Sequence, residues 1–409
     1  MTNAINFGPS VAEQETIKGN KLALALGYFL AFRDGLLFLL FGDAVKYGLI
    51  ALCVTSMLFT GLFAFLWLSG YWAPKYSENR TLKWVLIYIL WAGVSVYWTP
   101  AGMTAIGNWG MIALDILMVV AATQFIPAAI LGVNLVKGWV YGAVTLAALL
   151  PFIRRENDGA ISYEAVLNPH NIGPTVAIAT LLCLFLWRSS GKHWWGWIAA
   201  LLFCAVVSTG DKTDLGCVIA AGGLFLLFGN TAKFSKRAMT ALVASAVILA
   251  AFAFFGDYIS AYAGDEHALY TLTGRTAVWD AAIDLSWEHP WLGNGFFASA
   301  TMLPSFGLFA PLDAHNEWLQ TWLTLGAVGV SILTMIYISF FQLARSCQNL
   351  PLRTLVYSLI VYAILHSITE APFALSLPIP LLLMTSHFMT ATRHPARGGL
   401  CDIPIASQA

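Results

Sequence analysis

The side chains that could do chemistry are concentrated in one polar stretch, from about residue 255 to residue 329. The chain as a whole is only 10% charged, and apolar runs flank this stretch on both sides. Its titratable residues are Asp257, Asp265, Glu266, His267, Arg275, Asp280, Asp284, Glu288, His289, Asp313, His315 and Glu317. Because ionisable groups gathered between apolar segments are typical of functional sites, we expect this stretch to hold the reacting groups.

Arg275 stands at the start of a predicted helix within this stretch. The pattern of residues 272–288 predicts a short helix, with Thr273 as its N-cap and Pro290 after its end. A cation in the first turn is disfavoured by the helix dipole unless an anion is bound there, and arginine at a helix N-terminus favours phosphate. The alternative is that Arg275 anchors the loop to lipid headgroups or pairs with Asp280.

Lys212 repeats this arrangement at the start of the eighth apolar run. Together, Lys212 and Arg275 could bind the two phosphates of a diphosphate. The alternative is an interfacial lysine that snorkels to the membrane surface or pairs with Asp211 or Asp214.

His315 lies just before the tenth apolar run and is followed by Asn316. Histidine can accept a proton from a hydroxyl group near neutral pH, and Asp313 or Glu317 could orient its ring. We therefore expect His315 to act as a general base. A structural histidine with satisfied hydrogen bonds is the alternative.

The elements that must position these residues are membrane helices. The chain is 59% hydrophobic with a mean hydropathy of +0.73, and its apolar runs match the thickness of a bilayer. We predict an all-α polytopic membrane protein with about twelve transmembrane helices and one long extracytoplasmic loop that contains short helices. Arg33 and Asp34 interrupt the first run, which predicts a broken or interfacial span. The predicted spans are 22–41, 47–71, 84–98, 108–125, 138–153, 171–188, 194–209, 215–229, 238–256, 316–344, 352–370 and 374–391.

The orientation follows from the lysines and arginines, which concentrate in one set of alternate loops. The positive-inside rule places that set, with both termini, in the cytoplasm. Asn171 and Glu370 then lie on the outer face and are weaker site candidates. The predicted organisation is a cytoplasmic tail (1–21), nine helices (22–256), an extracytoplasmic catalytic loop (257–315), three helices (316–392) and a second cytoplasmic tail (393–409).

Several motifs are missing from the sequence. It has no Asp-x-Asp pair for a metal-bound nucleotide sugar, no zinc-protease motif, no phosphate-binding P-loop and no Gly-x-Ser-x-Gly elbow. No cysteine pair has disulfide or metal spacing. We therefore expect chemistry without a metal or cofactor. The formal net charge of zero gives no indication of nucleic-acid binding.

Taken together, these residues resemble the pattern of the O-antigen ligase and polysaccharide polymerase superfamily. The resemblance rests on short motifs from the third span onward: Thr273 to Arg275 with Trp279, Pro290 to Phe296, His315 and Asn316 followed by Gly326 and Gly329, Ser95 to Trp98, Asn168 to Gly173, Lys212 with Thr213, and His366 to Glu370. Each motif is weak alone, and their combination is specific.

The resemblance implies a bacterial inner-membrane glycosyltransferase that takes a glycan from undecaprenyl diphosphate on the periplasmic side. It assigns the diphosphate to Arg275 and the base to His315. Superfamily ligases generally have arginine where this chain has Lys212, so the chain looks more like exopolysaccharide polymerases. Lysine keeps the charge and loses the bidentate fork. Flippase and chain-length regulator proteins are candidate partners.

The first functional hypothesis is a polymerase that joins lipid-linked repeat units of an exopolysaccharide or O-antigen. The close alternative is a ligase that moves the glycan to lipid A core or to a protein. A hypothesis of another class is an anion or solute transporter, which would need charged groups near the bilayer midplane. Asp115 is the clearest such group outside the Arg33 and Asp34 pair.

Overall fold

A computed structural model describes residues 11–41, 56–57, 60–61, 64, 80–125, 128–153, 169–228, 275–305, 311–347 and 349–371. Within these ranges all regular structure is helical and no strand occurs, as the sequence predicts. The helices are α1 (Val11–Phe41), α2 (Arg80–Ser95), α3 (Met103–Phe125), α4 (Ala128–Leu149, with a 3-10 turn at Leu150–Phe152), α5 (Pro169–Ser190), α6 (Trp194–Thr209), α7 (Lys212–Phe228), α8 (Arg275–Glu288), α9 (Ser299–Met302), α10 (Glu317–Ser346) and α11 (Leu350–Thr369).

Five segments in the described part of the chain are long and apolar enough to cross a membrane: Met103–Val120, Gly132–Phe152, Ile172–Ser190, Glu317–Ser346 and Leu350–Ile368. Helices α6 and α7 are apolar and shorter. The predicted spans 47–71, 238–256 and 374–391 lie wholly or largely outside the described residues, and each other predicted span overlaps one described helix. The number twelve stays a prediction.

The expected break in the first span is absent. Helix α1 continues through Arg33 and Asp34 as one helix of 31 residues. Arg33 is buried and its guanidinium donates to Asp115 Oδ2 in α3 at 2.8 Å, while Ser56 donates to Asp115 Oδ1 at 3.1 Å. A buried charge is tolerated when it is paired and hydrogen-bonded, so the helix need not unwind to reach water.

The predicted loop helix is confirmed from Arg275 to Glu288, and residues 272–274 lie outside the described residues. After α8 the chain turns through residues 290–295 and packs against α10. Helix α10 is not continuous, because Gly326 has the non-helical backbone angles φ 66° and ψ −169°.

Helices α10 and α11 form an antiparallel pair next to the C-terminal end of the predicted catalytic loop. Asn316 caps α10 by accepting hydrogen bonds from the main-chain N–H groups of Trp318 and Leu319. Its amide Nδ2 also donates to the Ile368 carbonyl at the end of α11, at 2.9 Å. The start of α10 and the end of α11 are therefore fixed to each other.

Candidate functional site

Glu370 lies between the arginine and the histidine that the sequence singles out. Arg275 Nη2 donates to Glu370 Oε1 at 3.0 Å, and the other carboxylate oxygen, Oε2, lies 3.5 Å from His315 Nδ1. The three residues come from the start of α8, the turn before α10 and the residue after α11. The structure thus brings together groups 95 and 55 positions apart in the chain.

His315 is held in an unusual backbone conformation. Its φ is 46°, in the left-handed region that non-glycine residues rarely adopt. Its main-chain N–H donates to Asp313 Oδ1 at 2.7 Å, and the same oxygen lies 3.5 Å from the ring atom Nδ1. A strained residue persists only where its surroundings fix it, and such residues cluster at functional sites. The carboxylates of Asp313 and Glu370 thus both lie near Nδ1 of the His315 imidazole.

Of the two residues that the sequence offers to orient His315, Asp313 is the one placed at the ring. Glu317 is fully buried in the first turn of α10 and accepts a hydrogen bond from Thr321 Oγ1 at 3.4 Å. Thr321 Oγ1 in turn lies 3.4 Å from the Tyr88 hydroxyl of α2. Glu317 thus takes part in a buried polar network that joins α10 to α2.

Lys212 is the first residue of α7, at the helix start where the sequence analysis expects it. The Asp211 carboxylate caps this helix by accepting the Asp214 N–H at 3.0 Å. In the same turn, the Asp214 carboxylate accepts a hydrogen bond from the Tyr362 hydroxyl and lies 3.5 Å from His366 Nε2. Both partners lie in the part of α11 that leads to Glu370. The start of α7 therefore lies beside the end of α11.

Asn171 lies in the first turn of α5. Two residues on, Gly173 packs so closely on the Asp214 carboxylate that a Cβ atom there would overlap it. The beginning of α5 is thus held against the beginning of α7. The structure brings Asn171 to the side of the bundle that carries Lys212.

The Asp214 cluster, made of Asp214, Tyr362 and His366, is not among the features predicted from the sequence. Asp214 is fully buried, the Tyr362 and His366 rings stack at 5.6 Å, and Asp214 Oδ2 has no hydrogen-bond partner among the described residues. The available signal was the spacing of four between Tyr362 and His366, which places both on one helix face. The cluster holds α7 against α11.

Metal binding finds no support in the described part of the chain. No group of three or more His, Cys, Asp or Glu side chains there is arranged to hold a metal ion. Chemistry without a metal stays a prediction. The charged groups that the structure does bring together are a guanidinium, two carboxylates and an imidazole.

Fold and site together define an all-helical membrane protein with a polar site where the ends of several helices meet. Within this chain, residues 197–334 match a protein family described as O-antigen ligase, and the matched segment contains Lys212, Arg275 and His315. The O-antigen ligase of Pseudomonas aeruginosa strain PAO1 is 27% identical over 172 residues. That similarity covers 42% of this chain and 40% of the relative, so the chain spans less than half of it. The resemblance to the O-antigen ligase superfamily is confirmed.

Proposed function

We propose that this protein is a bacterial inner-membrane glycosyltransferase of the O-antigen ligase type, which moves a glycan from undecaprenyl diphosphate to an acceptor hydroxyl on the periplasmic face. The observation that carries the proposal is the contact of Glu370 with both Arg275 and His315. It supports one site in which an anion-binding group and a proton-accepting group lie side by side.

The donor diphosphate binds to Arg275 and Lys212 in this proposal. Each residue is the first residue of a helix, where main-chain N–H groups also favour an anion. A guanidinium has five N–H donors, so Arg275 can hold Glu370 and a phosphate oxygen together. The two cations offset the charge that develops on the departing undecaprenyl diphosphate, which makes a metal ion unnecessary.

His315 accepts the proton of the acceptor hydroxyl. Asp313 and Glu370 face Nδ1, which keeps a proton on that atom and leaves Nε2 to act as the base. The acceptor oxygen then forms a bond to the anomeric carbon of the glycan, and the bond from that carbon to the diphosphate oxygen breaks. The proton ends on His315, and its imidazolium is stabilised by the two carboxylates.

The comparisons favour a ligase, whose acceptor would be lipid A core or a protein, because both matches carry ligase descriptions. They support the ligase alternative over the polymerase hypothesis that Lys212 suggests. The transporter hypothesis loses support, since Asp115 is paired with Arg33. We keep polymerisation of exopolysaccharide or O-antigen repeat units as the second candidate, with flippase and chain-length regulator proteins as its expected partners.

The test is a reconstituted assay of the purified protein with an undecaprenyl-diphosphate oligosaccharide, with chelator present and no nucleotide. Transfer only after lipid A core is added supports the ligase, whereas a ladder of longer lipid-linked glycans supports the polymerase. Arg275→Ala and His315→Ala, which lie outside the predicted spans, should insert normally and lose transfer. Normal product from His315→Ala would remove the proposed base.

A further inference from the structure

Helix α10 is much longer than its neighbour α11, and yet the two meet at both ends. They have 30 and 20 residues, which as straight helices would span about 45 and 30 Å. At one end residues 347–349 join them. At the other end Asn316 donates to the Ile368 carbonyl and Trp318 Nε1 donates to Ser367 Oγ at 3.1 Å. The two lengths differ by about 15 Å, and a change of direction within α10 accommodates this difference.

The change of direction lies at Gly326. Its φ of 66° falls in the region that favours glycine, and a Cβ atom there would overlap the Trp291 carbonyl. The segment before the break, Glu317 to Leu325, leads back to His315. The segment after it, Ala327 to Ser346, has 20 residues, and about 20 are needed to cross a bilayer.

The main-chain groups released by the break are bonded to loop 290–295 and to one tryptophan. Main-chain groups left unpaired in apolar surroundings are strongly unfavourable, so these bonds stabilise the broken form over other conformations. The bonds are Asn294 N–H to Leu323 O (2.9 Å), Gly295 N–H to Thr324 O (2.9 Å), Trp91 Nε1 to Leu325 O (3.1 Å), Ala327 N–H to Pro290 O (2.9 Å) and Val328 N–H to Trp291 O (3.2 Å).

Side-chain and backbone features of loop 290–295 also stabilise the break at Gly326. Asn294 Nδ2 donates to the Leu323 carbonyl at 3.2 Å and to the Leu285 carbonyl of α8 at 3.1 Å. Gly293 has φ 72°, and a Cβ atom there would overlap the main chain of Thr324. The loop thus ties the break to α8, the helix that begins with Arg275.

We propose that the break at Gly326, together with loop 290–295, is a positioning device that turns the first part of α10 so that His315 reaches Glu370. This inference rests on the proposed function in taking His315 as the base. Without the turn, the nine residues before Gly326 would carry His315 along a straight path of about 13 Å. Since misplacement of a reacting group by about 1 Å can cost about 10²-fold in rate, the turn is needed for transfer.

The test measures the geometry separately from activity. His315→Cys and Glu370→Cys are combined in the full-length protein and treated with a short bifunctional thiol reagent, and a long reagent serves as the folding control. Mass spectrometry of the linked peptides separates this pair from the native cysteines. The cross-link is compared in the presence of Gly326→Ala, Gly293→Ala, Asn294→Ala or Gly107→Ala. Gly107 is the matched control, because a Cβ atom there meets nothing within 4 Å.

We expect Gly326→Ala and Gly293→Ala to lose the short cross-link and keep the long one. The same glycine changes in the otherwise unaltered protein should lower transfer by about 10²-fold. Asn294→Ala should reduce the short cross-link in part, and Gly107→Ala should change neither readout. If a glycine variant fails to fold, the long cross-link is lost as well. The short cross-link in Asn294→Ala then decides whether the loop positions His315.

A short cross-link of wild-type yield in Gly326→Ala or Gly293→Ala, and in Asn294→Ala, would overturn the positioning role. The two proposals fail differently. A cross-link that depends on Gly326 in a protein that transfers no glycan would leave the positioning device standing and reject the proposed function. Glycan transfer by a protein whose short cross-link is unaffected by changes at Gly326 would support the proposed function and reject the positioning device.

Discussion

Glu370 connects the two groups to which the proposed function assigns chemistry. Its side chain is 10% exposed and contacts Arg275 with one oxygen and His315 with the other. A carboxylate in this position can hold the guanidinium in place and stabilise the imidazolium that forms when His315 takes a proton. It lies outside the segment matched to the O-antigen ligase family, residues 197–334.

Glu370→Gln should therefore lower transfer by about 10²-fold while the protein stays folded, because the amide keeps the shape and loses the charge. The rate of the reconstituted reaction measures this, with thermal unfolding as the folding check. Glu288→Gln, an exposed glutamate at the end of α8, is the matched control and should be active. Wild-type rates from Glu370→Gln would show that the charge has no part in the reaction.

Lys212 lies at the start of α7. Because lysine lacks the planar, bidentate donor geometry of arginine, we expect it to bind phosphate loosely. Lys212→Arg should retain most transfer, whereas Lys212→Ala should weaken donor binding and raise KM for the lipid-linked donor. Titration of the donor in the reconstituted assay separates KM from kcat. An unchanged KM in Lys212→Ala would place the donor elsewhere.

At the scale of the elements, what the sequence could predict was local. A continuous apolar run predicted α6 with its observed bounds, and the helix that begins with Arg275 was expected before Pro290. The continuity of α1 could not be predicted, because it depends on Asp115, 82 residues away from Arg33. The break at Gly326 depends on a loop that ends some thirty positions earlier. Contacts between distant segments decide these features. Local patterns in a single sequence do not reveal such contacts.

Two asparagines cap the two long helices and allow a paired test. Asn316 caps α10 beside the site, and Asn349 caps α11 at the other end by accepting the Leu352 N–H. Replacing either by alanine should cost about 0.5–2 kcal/mol of stability. Only Asn316→Ala should also lower transfer, because it loses the bond to Ile368 that fixes the turn carrying His315. Equal transfer by both variants would contradict this role.

The pair formed by Arg33 and Asp115 joins α1 to α3 inside the bundle. Breaking a buried pair leaves one charge uncompensated, so Arg33→Met alone should cost about 3–5 kcal/mol. Arg33→Met combined with Asp115→Leu should recover most of that loss. Unfolding in mixed micelles measures the stability of the single and the double variant. If the double variant is stable and yet inactive, the pair has a functional part beyond holding the helices.

At the scale of the whole molecule, the compartment that contains the candidate site decides what chemistry is available to it. The positive-inside rule predicts that the loop with Leu312 lies outside and that the turn with Lys192 lies in the cytoplasm. Both residues are exposed, so a cysteine at either position should react with thiol reagents once they reach it.

Leu312→Cys should react with a membrane-impermeant maleimide in cells whose outer membrane alone is permeable, and Lys192→Cys should react only after the inner membrane is lysed. The parent protein, with its native cysteines, gives the background. The opposite pattern would put Arg275, His315 and Glu370 in the cytoplasm, where nucleotide-sugar donors are available. Transfer from a lipid-linked donor on the periplasmic face would then be excluded. The labelling result therefore tests the proposed function without any substrate.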